Sequence, residues 1–98
     1  MNAPETSGLP AADLIETGLR DLSGGLETEA SLLVSIGAPR LRSLGFPVAS
    51  PLEKPERRLY ERLSRREPDS AHSRYNALIR RLVGFERAAA CARYRTGL

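Results

Sequence analysis

The sequence predicts an all-α fold, a small single-domain helical bundle of four main helices over residues 1–98, packed on a long C-terminal helix. Three observations predict it. Ala71, Tyr75, Leu78, Leu82, Phe85, Ala89 and Ala92 follow one another at spacings of three and four through a stretch without proline, the seam of a long amphipathic helix. Upstream, apart from Gly18, glycines and prolines fall between or at the starts of segments of the same periodicity. Finally, there is no Trp, with two Phe and three Tyr, so the core must be mostly Leu, Ile, Val and Ala, and β-branched residues are too sparse for sheets.

Taken in order, residues 1–8 are polar and contain Pro4 and Gly8, which predicts a flexible N-terminal tail. A first helix is expected near 10–23, with Pro10 at its first position. Ala11, Leu14, Ile15, Leu19 and Leu22 form its stripe, Asp13 and Glu16 suit the positive end of its dipole, and Gly24-Gly25 stops it. A second helix is expected near 28–36, N-capped by Thr28, with Leu32, Leu33 and Ile36 as its apolar side and Gly37 ending it. Pro39 opens a short turn of helix near 39–44 carrying Leu41 and Leu44. Residues 46–54 then form a proline-rich connection whose Phe46 and Val48 are expected to plug into the core.

Pro55 starts the next helix, near 55–66, with Leu59, Tyr60 and Leu63 facing inward. Glu53 with Arg57, and Glu61 with Arg65, are acid-before-base pairs one turn apart. Pro68 ends this helix because the residue before a proline is pushed out of the helical region. Asp69 or Glu67 is expected to cap the long helix, near 69–93. Gly84 lies inside it, which a tight contact, a bend or chance would each explain, and Ala88-Ala89-Ala90 marks close approach.

The net charge is +3, but it is unevenly spread. Residues 1–36 carry six carboxylates against Arg20 alone, a net −5, while residues 37–98 hold the other fourteen basic and six acidic side chains, a net +8. That asymmetry points to an acidic protein or nucleic-acid partner on the basic side, or to internal neutralisation of one half by the other. All basic residues but Lys54 are Arg, a bias that a GC-rich bacterial genome produces through its codons and that also suits two-pronged binding of carboxylate or phosphate.

Cys91 is the sole cysteine and His72 the sole histidine, so no intramolecular disulfide, Cys-x-x-Cys site or two-histidine metal site can form within one chain. No cofactor and no metal are expected. The start of the chain lacks the basic and apolar regions of a signal peptide, and the longest apolar patch, Leu32 to Ile36, is too short to span a bilayer. A cytoplasmic protein without membrane insertion is the expectation.

The candidate binding residues lie between Pro55 and Leu82. Arg58, Arg62, Arg65 and Arg66 share a side of the fourth segment, and the long helix opens with Ser70, His72, Ser73, Arg74 and Asn76, followed by Arg80 and Arg81. A short helix, the connection Glu67-Pro68-Asp69 and a second helix bearing hydroxyl, amide and guanidinium groups resemble a helix-turn-helix arrangement, which implies DNA or RNA binding. Arg58, Arg62, Arg65 and Arg74 are expected near one another across that connection. Arginine-rich helices also dock acidic proteins, and the chain resembles in this respect small helical antitoxins and adaptor subunits; Ala89 and Ala92 would permit close approach in a homodimer. Arg66 and His72, separated by five residues, are similar to the Arg–His spacing of the HEPN ribonucleases, although Pro68 interrupts the segment. With no Gly-x-Ser-x-Gly context and no glycine-rich phosphate loop, the sequence reads as a non-enzymatic interaction module that binds a protein partner through its Arg-rich C-terminal half. A nucleic-acid-binding regulator is the alternative and a HEPN-like ribonuclease the remote one.

Overall fold

The computed structural model describes residues 6–95, all-α with no strand among them. The helices are α1 (Ala12–Ser23), α2 (Glu29–Ile36), α3 (Ala38–Ser43), α4 (Pro55–Arg66) and α5 (Ala71–Arg95), with a 3₁₀ turn at Pro68–Ser70. Within the predicted N-terminal tail, residues 1–5 lie outside the described part. Thr6 is tied to the body by hydroxyl donation to Glu16, and its carbonyl accepts from the Leu9 amide.

The helix ends are set by local chemistry. Helix α1 begins two residues after Pro10, not at it, because Ala11 takes a left-handed conformation (φ 62°) and its carbonyl accepts the first helical bond, from the Ile15 amide. At the other end Gly25 (φ 76°) lets the Leu26 amide turn back to the Asp21 carbonyl while its own amide bonds to Leu22, the paired bonds that satisfy the last carbonyls of a helix. The same arrangement closes α3: Gly45 (φ 97°) sends the Phe46 amide to the Leu41 carbonyl and its own to Arg42. Here the consequence is tertiary. The turn aims Phe46 into the core, where its ring lies 5.3 Å from that of Phe85 in α5.

Thr28 caps α2 as its sequence position predicts. Its hydroxyl accepts from the Ser31 amide, and the Ser31 hydroxyl accepts from the Thr28 amide in return, at 3.1 and 2.7 Å. This is a reciprocal capping box with Ser in the place usually held by Glu or Gln. Neither Asp69 nor Glu67 caps α5 in this way. The 3₁₀ turn intervenes, Glu67 just before it makes no side-chain cap bond, and its carboxylate pairs with Arg74 instead.

The most enclosed element is α2 rather than α5. Ala30 to Ser35 are all buried, so α2 is covered on every side, with α1, α3, α4 and α5 as neighbours. The predicted apolar side was too narrow: Ile36 is only half-buried, whereas Ala30 and Val34 are buried against α1. Two hydroxyls enter the core with α2 and both are satisfied, Ser31 at the cap and Ser35 by donating to the Ser31 carbonyl and accepting from the Leu52 amide. The last of these bonds fastens the proline-rich connection to the centre of the fold, and Arg42 grips the same loop from outside by donating to the Val48 and Ala49 carbonyls. Phe46 is buried and Val48 half-buried against the core, as predicted.

Long helix α5 contributes its predicted seam. Leu82, Phe85 and Ala89 are buried, and Tyr75 and Leu78 are partly covered at the α4 end, where Tyr75 meets Tyr60 edge-on at 5.7 Å. Two glycines set the helix–helix distances. A Cβ at Gly18 of α1 would lie 2.4 Å from the Ala30 carbonyl oxygen, and one at Gly37 would meet Leu82 and Glu86 of α5 at 2.9 Å. Gly84 is different: a Cβ there meets nothing within 4 Å. It marks no contact within the chain, which removes one of the three explanations open for it and leaves a bend or chance.

Candidate interaction surface

The predicted binding residues separate into two groups, and much of the first is engaged by the fold itself. Arg58, Arg62 and Arg66 recur one turn apart along α4 and form a stripe toward the start of α2. Arg58 Nη1 lies 3.3 Å from the Glu27 carboxylate, and Arg66 pairs with Glu29; Arg62, half-buried, occupies the turn between them. Thr28, between the two glutamates, donates to Asp21 at 2.8 Å. Part of the excess positive charge of the C-terminal half is thus balanced by the acidic first third, through pairs that the helical spacing rule could not reveal because their members are 31 and 37 residues apart.

The groups expected at the opening of α5 are also engaged within the chain. Ser73 donates to the Ser70 carbonyl at 3.1 Å, His72 shares a 3.2 Å hydrogen bond with the Asn76 amide one turn later, and Arg74 is held by Glu67. The predicted patch of Arg58, Arg62, Arg65 and Arg74 does not form as one unit. Arg58 is held by the α1–α2 loop and Arg74 by the C-terminal end of α4, while Arg65 is exposed. Nor do the expected surface pairs form, because Arg57 takes Glu61 at 3.5 Å, leaving neither Glu53–Arg57 nor Glu61–Arg65. Arg66 and His72, the two residues of the HEPN-like spacing, have separate partners, Glu29 and Asn76.

The second group lies on the outer face of α5. Arg80 and Arg81 are exposed, as is Arg87, one heptad beyond Arg80. No ion pair joins these three to a described carboxylate. Between them the face is low: Ala77, Gly84 and Cys91 recur at intervals of seven, with Ala88 beside them, and Cys91 is exposed. Arg87 was missing from the predicted set although its spacing from Arg80 places it on the same line. On the opposite, inner side of α5, Glu86 is half-buried with its carboxylate over Gly37. Burial raises its pKa above the ordinary carboxylate value, while nearby Arg40 partly offsets the effect. Burial also raises the pKa of Tyr75, with the Glu56 charge adding to it.

No protein-family model, curated protein or solved structure matches the chain. Among the described residues, no three His, Cys, Asp or Glu side chains gather as metal ligands. None of the described helices is long and apolar enough to cross a membrane. The chemistry available on the outer face of α5 is that of three guanidinium groups, which bind carboxylate or phosphate through charge-assisted hydrogen bonds, arranged along a helix of 25 residues.

Proposed function

We propose that the chain is a non-enzymatic interaction module, of the kind found in small bacterial cytoplasmic regulatory, adaptor or antitoxin-like proteins, that docks an acidic protein partner through the outer face of α5. The observation that carries this reading is the unequal use of its arginines. Those on α4 and at the opening of α5 largely find carboxylates within the chain, whereas Arg80, Arg81 and Arg87 share one exposed face without one. Exposed ion pairs are worth only about 0–1 kcal/mol, so the unpaired three are not a liability to the fold. They form a group of unpaired, exposed cations on one helix face that is open to a partner.

The nucleic-acid reading draws on the same three side chains but loses support at the opening of α5. A recognition helix reads base edges with side chains near its N-terminus, and there Ser73, His72, Asn76 and Arg74 are turned toward intramolecular partners. Salt titration of binding to duplex DNA and duplex RNA tests the choice. A protein-docking module gives weak binding, with no sequence preference and a slope that Arg80→Ala and Arg87→Ala leave unchanged. A steep wild-type slope that falls by about one unit in each variant would instead establish phosphate contacts and overturn the proposal. Recovery of a bound protein from native lysate of the source cells, before and after nuclease treatment, gives the complementary readout. Loss of all captured protein on nuclease treatment contradicts direct protein docking.

A further inference from the structure

We infer that the element received by α5 is an acidic α-helix, laid along the outer face with its closest approach at Gly84. The inference rests on the reading above and specifies the occupant. No strand occurs among the described residues, so there is no sheet edge to receive an extended peptide by strand addition. The continuous feature offered is one side of a 25-residue helix, roughly 37 Å long, on which Ala77, Gly84 and Cys91 form a low line.

Gly84 gives the site of closest approach. A glycine weakens a helix relative to alanine, and the fold has no use for this one, since a Cβ there would stand in open space. A partner backbone does have a use for it, because small residues at a crossing let helix axes approach closely. Arg80 and Arg87 stand four residues before and three after Gly84, and Arg81 lies beside them. A helix seated on the low line therefore passes between guanidinium groups that reach up along its sides. Charge complementarity makes this helix acidic, with carboxylates repeating every three or four residues on the facing side.

The same charges disfavour a second copy of the chain as occupant. A two-fold pairing of α5 on α5 sets Arg80, Arg81 and Arg87 against themselves, and the one α5 carboxylate, Glu86, lies on the inner side. Like charges brought together at an interface are destabilising.

The test uses the full chain and two synthetic alanine-based helical peptides of equal composition, one with its glutamates on a single face and the other with them spread around the helix. Fluorescence anisotropy should show the one-faced peptide binding at least about tenfold more tightly than the spread one. Gly84→Leu, which keeps a good helix former and projects into open space, should leave the circular dichroism unchanged and weaken binding by about tenfold or more. Arg80→Gln and Arg87→Gln should each weaken it, and Arg57→Gln, on α4, should not. If Gly84→Leu binds as wild type does while the Arg variants lose affinity, the acidic-partner reading stands and the helix crossing at Gly84 is wrong. Equal binding of the two peptides, or no binding of either, overturns the inference, and loss of affinity in none of the Arg variants overturns the docking face as well. A dimer in light scattering that forms a Cys91–Cys91 disulfide under mild oxidation would place a second copy on this face instead.

Discussion

Replacing Gly18 and Gly84 separately by alanine should change stability in opposite directions, although both are glycines within helices. The common term is helix propensity, which favours alanine over glycine by about 0.8–1.0 kcal/mol. At Gly84 this is the only term, because the added methyl meets nothing within 4 Å; Gly84→Ala should be about 1 kcal/mol more stable than wild type. At Gly18 the methyl would lie 2.4 Å from the Ala30 carbonyl oxygen, 2.8 Å from its carbonyl carbon and 2.7 Å from Val34 Cγ1. Two of those three atoms are backbone, so the contact cannot be relieved by rotating a side chain. Ordinary contact begins near 3.4 Å, and regaining it requires α1 to move off α2 by about an ångström, loosening Ile15 and Leu22 from the core. Overpacking costs typically 1–3 kcal/mol and occasionally more. A backbone clash belongs at the upper end, so the steric term outweighs propensity and Gly18→Ala should be destabilised by roughly 1–2 kcal/mol net. Urea melts followed by circular dichroism at 222 nm read both numbers, provided m is unchanged. In a domain of this size each kcal/mol corresponds to about 4–8 °C in Tm. Stabilisation of both variants would show that α1 and α2 are not in close contact at Gly18 and would refute the packing described here.

Leu82→Ala should cost roughly 2–5 kcal/mol in the same melts, because the side chain is buried and lies against Gly37 at the α2–α3 junction; a loss below half a kcal/mol would mean that the α5 seam is exposed. Thr28→Ala removes the reciprocal cap and the bond to Asp21 and should cost about 0.5–2 kcal/mol, whereas Arg58→Ala, which breaks only an exposed pair, should cost less than about 1 kcal/mol. Equal losses in the two would contradict this ranking. Glu86 gives a pH dependence of definite sign. Its folded pKa is raised by burial, so the folded state holds the proton more tightly than the unfolded one, and stability present below the ordinary glutamate pKa is lost as pH rises through the raised value. Glu86→Gln should flatten the melting curves across that acidic window; an unchanged pH profile would show that another group is responsible.

The positions of the helices were legible in the sequence because their determinants are local. Periodicity at three and four residues, Pro55 at a helix start, the glycines at 25 and 45, and Thr28 at a cap act within one or two turns of chain, and the structure places helices where they direct. Phe46 was legible as an apolar anchor of the proline-rich connection, less costly buried than exposed, and the left-handed Gly45 that turns it inward is a feature of the structure. The local reading failed where two nearby residues compete. Pro10 lost the helix start to a left-handed Ala11, and Glu61, with Arg57 one turn before and Arg65 one turn after, took Arg57.

What the tertiary structure alone decided is which sides of these helices meet. A helix carries its own pattern of apolar residues but not the number of neighbours that will surround it. Short α2 therefore read as one-sided and proved to be enclosed, while long α5, with the most regular seam, kept a free outer face. The glycines at 18 and 84 both lie inside helical segments in sequence; whether a missing Cβ admits a carbonyl oxygen or open space depends on chain distant in sequence. The arginines follow the same logic. Their number and clustering belong to the sequence, but their partners do not: Glu27 and Glu29 reach Arg58 and Arg66 only because α2 packs on α4. Charge acts through space rather than along the chain, so only the packed structure separates the arginines that balance its own carboxylates from Arg80, Arg81 and Arg87, which face outward.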